Sequence, residues 1–300
     1  MTFVCIACGH SEFFSNPYPC PPGPRTPRRR FLDLVQRIGW LFLSLERLPV
    51  GAARRFSQGL FKFRSVRLCA SCGIGVIYPM PDKNDLVRYY RNFYTDVTQN
   101  DLPPIDARGR SQAWHLAQQI DLSAITDSFE FGAGSASLSR AVAAAAPRVR
   151  VTVAELSEGM LRALRRDPAI HRAVSTYDGP DRAFDLVMAS HALEHVVNAA
   201  ATLRDWCGLL RPGGVLFVEV PHATGDHYTV PHEYIPHTWF FTGLSLDLLA
   251  RAAGLKTMSI LTGGLTYPDA IAGRPAPPPE TWGETGLAGC QLRGLWLKPL

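Results

Sequence analysis

The run from Phe129 to Ser137 (F-E-F-G-A-G-S-A-S) constrains this chain more than any other. It reads as an apolar strand, Ser128–Phe131, a turn carrying Gly132 and Gly134, and a helix over Ser137–Ala146. Glycines at such a turn let the backbone bend sharply and lie against a ligand. Glu155 follows at the end of the next apolar run, Val151–Ala154. A carboxylate there can accept both hydroxyls of a ribose, because open α/β sheets bind ligands in the crevice at their strand ends. A dinucleotide fingerprint would place a third glycine at position 137, which is Ser137, so a nicotinamide cofactor is disfavoured. The bland alternative is a tight strand–helix turn beside a solvated acid.

The surrounding segments continue the alternation. Strands are expected at Asp185–Ala189, Val215–Val220 (after the turn Pro212-Gly213-Gly214) and Leu255–Leu261. Leu292–Leu297 is expected as a last, edge strand. Thr242–Ala253 is amphipathic and stops at Gly254, a helix C-terminal signal. Short apolar runs separated by helical patterns indicate a parallel α/β sheet. The expected organisation is a module over 1–80, a helical cap or linker over 81–125, and a sheet domain over 126–300.

Four of the seven cysteines form two matched pairs, Cys5-x-x-Cys8-Gly9 and Cys69-x-x-Cys72-Gly73. Each pair puts two thiolates on one tight turn, and four thiolates in tetrahedral array suit a structural zinc with no open position for substrate. The odd cysteine count in a chain of 300 residues argues against a disulfide framework. No charged region with an apolar run and a cleavage site opens the chain, and a cytoplasmic setting is the expectation.

The net charge of +5 is unevenly spread. Eleven basic and two acidic residues fall between Arg25 and Arg67, which leaves the rest of the chain net negative. Within this basic insertion (25–67), the stretch 28–48 begins with Arg28, Arg29 and Arg30, then places Leu34, Val35, Ile38, Leu41, Phe42, Leu45 and Leu48 at helical spacing. Three readings are open: an interfacial helix on anionic lipid, which would make the protein peripheral to a membrane; an RNA patch; and a helix packed on its own domain or a second subunit.

Five ordered segments together resemble the class I S-adenosylmethionine-dependent methyltransferase family. They are Phe129 to Gly134, Val151 to Leu161, Phe184 to Val196, Leu209 to Pro221 and His237 to Leu255. The resemblance implies an α/β fold, a Rossmann-like seven-stranded methyltransferase sheet, mostly parallel with the last strand antiparallel, here with a small N-terminal zinc-binding module. It implies S-adenosyl-L-methionine as cofactor. Glu130, Gly132, Ala133 and Gly134 would line its methionine end, Glu155 would hold the ribose, Leu156 and Asp178 would meet the adenine, and Ser190 and His191 would sit at the mouth of the fourth strand. Ala136 stands where the family often has glycine, and cofactor binding is expected to survive it. The run Gly75 to Tyr94 is similar to methyltransferases with an N-terminal zinc module, among them sugar C-methyltransferases. In those a tyrosine of this region approaches the cofactor, a role open to Tyr89, Tyr90 or Tyr94; a buried aromatic stripe is the alternative.

Methyl transfer often needs a base. His222, His227, His232 and His237 recur every fifth residue in a Pro- and Gly-containing stretch that reads as a loop over the site. His237 matches a histidine of the family pattern, and His232 with Glu233 resembles a pair in sugar-modifying relatives, so His237 and His232 are the catalytic candidates. Glu194 and His195 match a common Leu-Glu-His with a structural role. Similar residues bind a divalent metal in a quinone-methylating branch, but His191 replaces one expected acid, and no metal is expected there. The expected function is methyl transfer to a small molecule, a sugar or a glycolipid or secondary-metabolite precursor. An RNA methyltransferase and a non-catalytic binding module are the rivals; nucleic acid is not the expected partner.

Overall fold

The computed structural model describes residues 4–17, 65–92, 102–223, 237–275, 277–278 and 289–300. In chain order the first strands are β1 (Phe13–Pro17), β2 (Ser65–Cys69) and β3 (Gly75–Tyr78), followed by α1 (Lys83–Asn92) and α2 (Ala107–Gln119). The second part contains β4 (Asp127–Phe131), α3 (Ser137–Ala145), β5 (Arg150–Ala154), α4 (Glu158–Leu164), β6 (Arg172–Val174), β7 (Phe184–Ser190), α5 (Ala199–Leu209) and β8 (Leu210–Pro221). After it come β9 (Trp239–Phe240), α6 (Gly243–Ala252), β10 (Lys256–Thr266), α7 (Tyr267–Ile271) and β11 (Gly289–Leu297).

Seven strands form one sheet in the order β10-β11-β8-β7-β4-β5-β6. The five from β8 to β6 are parallel, and β11 runs antiparallel to both of its neighbours. This is the Rossmann-like methyltransferase sheet that the motifs imply. The expectation of Leu292–Leu297 as an edge strand is corrected: β11 lies between β8 and β10, and β10 is the edge. The reason is visible in the residues, since Leu292, Leu295 and Trp296 are fully buried and need cover on both faces.

Side chains alternate across the central strands, as the two-residue period requires. Leu186 and Met188 face α2 and α3 with Leu116, Leu138 and Val142. Val187 and Ala189 face α5 and α6 with Leu203, Trp206, Leu246 and Leu249. Helix starts are fixed by side-chain caps: Asp106 accepts from the Gly109 N–H and Asn198 from the Ala201 N–H. Thr242 forms a reciprocal capping box with Ser245. Gly254 takes φ +92° and ends α6, as read from the sequence.

A second sheet has the order β1-β2-β3-β9. Three strands come from the cysteine-bearing module and the fourth, β9, from the distal end of the chain. The module's Cys5, Cys69, Cys72, Ile74 and Val76 share one apolar core with α5 and α6.

Candidate functional site

The turn after β4 opens onto a cleft of about 840 Å³. Its walls include Gly132 and Gly134 from the turn, Glu155 and Leu156 after β5, Thr176 and Tyr177 beyond β6, and His191 and His195 after β7. A cleft of this size at the strand ends suits a nucleoside-sized ligand. Gly132 has φ +61°, and a Cβ there would lie 2.8 Å from the Ala192 Cβ, so the residue must be glycine for the two cleft walls to meet.

Glu155 is held by the backbone. The Gly134 N–H donates to its Oε2 and the Ser157 N–H to its Oε1, both at 2.7 Å. A carboxylate offers about four lone-pair sites, so roughly two remain directed at the cleft. Leu156 lies beside it on the wall.

The other residues expected at the cofactor spread differently. Glu130 is buried beneath the turn and away from the cleft, where its carboxylate accepts from the Ser139 N–H at 3.1 Å. Burial, reinforced by the negative Glu155 nearby, pushes its pKa up to about 7. Ala133 is buried, and its N–H donates to the Ala154 carbonyl. Asp178 is solvent-exposed, 3.6 Å from Arg172, and does not line the cleft. Ser190 accepts from Gln112 of α2 at 2.7 Å, which ties α2 to the end of β7. Ala136 adopts φ +53°, the left-handed region, which is why glycine suits this position.

His191 also has φ +53° and lines the cleft. Its Nδ1 lies 3.3 Å from Glu194 Oε1 and its Nε2 3.2 Å from Glu219 Oε1. Burial disfavours its charge, but the two carboxylates outweigh this and raise its pKa to about 9. Glu219 in turn pairs with buried Arg293, which donates through Nη1 and Nη2 to Ser111 of α2. Burial opposes ionisation of Glu219, yet Arg293 and His191 hold its pKa at about 2. A charged row thus runs from α2 under the cleft floor to His191. Sequence reading missed it, although Glu219 and Arg293 each interrupt an apolar run and stand opposite one another in the β8–β11 register.

The catalytic candidates separate. His232 lies outside the described residues, as do Tyr94 and the 28–48 segment. His237 is buried and absent from the cleft wall; its ring packs against His195 with centroids 5.0 Å apart. His195 does line the cleft, as does Tyr90 of α1, and the Tyr90 hydroxyl is 2.7 Å from His195 Nδ1. His195 Nε2 is 3.7 Å from the buried carboxylate of Glu194. Of the tyrosines singled out, Tyr90 therefore reaches the cleft, while Tyr89 is buried and does not line it. One ligand atom each from Glu194, His195 and His237 falls within 4.8 Å of the others.

In the module, Cys5 Sγ is 3.6 Å from Cys72 Sγ and Cys8 Sγ 3.6 Å from Cys69 Sγ, with all four within 4.8 Å of one another. Thiolates about 2.3 Å from a tetrahedral zinc stand about 3.8 Å apart, so this donor set fits the ion. Burial raises the pKa of Cys5 and Cys72; at Cys8 burial acts the same way but the His10 N–H and neighbouring thiols bring it down to about 6. Four sulfur donors at this spacing, three of them buried, make a set that could hold a metal ion.

Residues 129–216 match the family model described as "Methyltransferase domain". A curated relative, the mitochondrial ubiquinone biosynthesis O-methyltransferase of Homo sapiens, is 29% identical over 96 residues, covering 28% of this chain and 26% of the relative. The match thus spans about a quarter of that protein. Among solved structures, a Haloferax volcanii protein described as a methyltransferase, in complex with the Trm112 methyltransferase activator, aligns with a TM-score of 0.51 and 18% identity. The alignment covers 64% of this chain and 91% of that one. A Thermotoga maritima S-adenosylmethionine-dependent methyltransferase aligns with a TM-score of 0.50 and 18% identity over 65% of this chain and 90% of that one. The chain has the fold of class I methyltransferases.

Proposed function

We propose that this chain transfers a methyl group from S-adenosyl-L-methionine to a small-molecule acceptor. The observation that carries the reading is Glu155, whose two oxygens are each anchored by a backbone N–H at the cleft edge and still present free lone pairs to a ribose diol. Gly132 and Gly134 bring the backbone against the methionine end, and Leu156 and Met160 offer apolar contact to the adenine. Bound in this cleft, the cofactor supplies an electrophilic sulfonium methyl.

The chain's own groups manage the acceptor. Tyr90 and His195 occupy the same cleft as Glu155, and their hydroxyl–imidazole contact forms a proton path. Tyr90 Oη takes the acceptor's proton while its own passes to His195 Nδ1, and the Glu194 carboxylate offsets the resulting imidazolium. His237 supports this pair by packing on the His195 ring. The acceptor's heteroatom or carbon gains the methyl, and the proton leaves through His195 to solvent.

The four cysteines hold a structural zinc, as their spacing supports. The acceptor is a sugar or a glycolipid or secondary-metabolite precursor, met at an anionic lipid surface. The support for that surface is the basic stretch 28–48 together with strand register: Pro17 pairs with Ser65 and Ser65 with Tyr78, so the described residues on either side of that stretch lie side by side in the second sheet. Among the described residues no helix is long and apolar enough to cross a membrane.

The test is incubation of the purified protein with methyl-labelled S-adenosylmethionine and fractionated lipid and polar extracts. Label in a small-molecule fraction, lost in Glu155→Ala, is the expected result; release of no S-adenosylhomocysteine with any fraction, or label only in RNA, overturns it.

A further inference from the structure

The second sheet is completed by β9, a strand from outside the cysteine module that does not itself line the cleft. Its pairing links the module's backbone to the segment that carries His195. Gly75 pairs with Phe240 and Val76 with Trp239, and the Ile77 N–H donates to the Thr238 carbonyl at 3.0 Å. On its other side Thr238 grips the segment after β7. Its N–H donates to the Glu194 carbonyl at 2.8 Å, and its hydroxyl lies 2.8 Å from the carbonyls of both Glu194 and Val196. The Trp239 indole N–H donates to the Val196 carbonyl at 2.9 Å. These are the residues flanking His195 on the cleft wall.

The other end of β9 is tied to the cysteine knuckle itself. The Thr242 hydroxyl donates to the Cys72 carbonyl at 2.7 Å. A Cβ at Gly73 would approach the Thr242 Cγ2 to 3.0 Å, so the knuckle and the start of α6 are in tight contact. Cys72 is a proposed zinc ligand, and Thr238 is fully buried. A polar route from knuckle to wall therefore runs through the two threonines and the β3–β9 ladder.

We infer that the four-cysteine site acts as a strut for the cleft, with Thr242 and Thr238 as positioning residues that carry its rigidity to the His195 wall. The inference rests on the zinc reading above. Zinc fixes the Cys69–Cys72 turn, the turn fixes Thr242 and the edge of β3, and β9 then holds the Glu194 and Val196 carbonyls. Loss of zinc loosens 191–197 without unfolding the parallel strands β4 and β5, which share no hydrogen bond with the module among the described residues.

The experiment uses the full chain as purified, with zinc measured by mass spectrometry before and after treatment with a high-affinity chelator. Hydrogen exchange of peptides covering 237–242 and 191–197 is compared with that of peptides covering β4 and β5, and S-adenosylhomocysteine affinity is measured by calorimetry. Zinc removal is expected to speed exchange in the first two regions only, and to weaken binding roughly tenfold. Thr238→Val, which keeps shape but not the hydroxyl, should reproduce the faster exchange at 191–197 and the weaker binding with zinc still bound, and Thr238→Ser should restore both. Unchanged exchange and affinity in the zinc-free protein overturn the strut, as does global loss of protection that includes β4 and β5. Unchanged behaviour of Thr238→Val overturns the positioning role. A purified protein with no zinc refutes the metal reading instead, and the Thr238 variants still decide whether β9 holds the wall.

Discussion

Replacing Glu155 by glutamine tests the cofactor site with a change of one atom. The two backbone donors, Gly134 and Ser157, fix the carboxylate through different oxygens at 2.7 Å each. An amide keeps one oxygen as acceptor and turns the other into a donor. Whichever way it is oriented, its NH2 then faces either the Gly134 or the Ser157 N–H, and one ribose hydroxyl loses its acceptor. A hydrogen bond to a charged group contributes about 1.5–3 kcal/mol to binding, while the clash of the amide with a backbone N–H is present with and without ligand and lowers stability instead. The lost ribose bond alone should lower affinity roughly ten- to a hundredfold. Calorimetric titration with S-adenosylhomocysteine measures this directly, with circular dichroism confirming that the sheet is intact. Binding within about twofold of wild type in a folded Glu155→Gln protein would falsify the ribose assignment and the lone-pair reasoning behind it.

Further outcomes follow from the buried charges. Glu130 titrates near 7 when folded against 4.5 for the free group, so the folded state keeps a proton the unfolded chain has lost. The Glu130 contribution to stability should therefore fall as pH rises from about 4.5 to 7 and then level off; Glu130→Gln should remove that part of the slope and be the more stable form at pH 8, by up to about 3 kcal/mol in urea denaturation. Arg293→Met strands the carboxylate of Glu219 with only His191 to offset it and should cost about 3–5 kcal/mol, read as a lower thermal midpoint. Tyr90→Phe should lower turnover of the identified acceptor by roughly ten- to a hundredfold with cofactor affinity unchanged, and a full rate would remove Tyr90 from the proton path. Cys69→Ser should drop bound zinc well below one per chain, and acidification should release zinc from the wild type because the thiolates must be reprotonated.

Much of the sheet was legible because its signals are local. The β4–turn–α3 unit, Glu155 after β5, and the Thr242–Gly254 helix each declare themselves within about twenty residues. The place of β11 was not legible. Sequence order puts it last, and only its burial on both faces moves it inside the sheet. Strand β9 is two residues long and β6 three, too short for any period to show. In the site, His237 matches a histidine of the family pattern in a histidine-rich stretch, but the fold packs it against His195 and off the cleft wall. The contact between Tyr90 and His195 spans 105 positions, and no spacing rule reaches that far. Asp178, which the resemblance would put at the adenine, stands exposed beside Arg172 and off the cleft wall. Thr238 carries no signal as a lone threonine; its importance arises from the two carbonyls that the fold brings to its hydroxyl.

The central claim is that the cleft between Glu155 and the His195 wall orients S-adenosylmethionine for methyl transfer. A crystal structure with S-adenosylhomocysteine tests it most directly. The account predicts the ribose hydroxyls on Glu155, the adenine against Leu156, and the sulfur turned toward Tyr90 and His195. A nucleoside bound in the reverse sense, or seated away from Glu155, would contradict it.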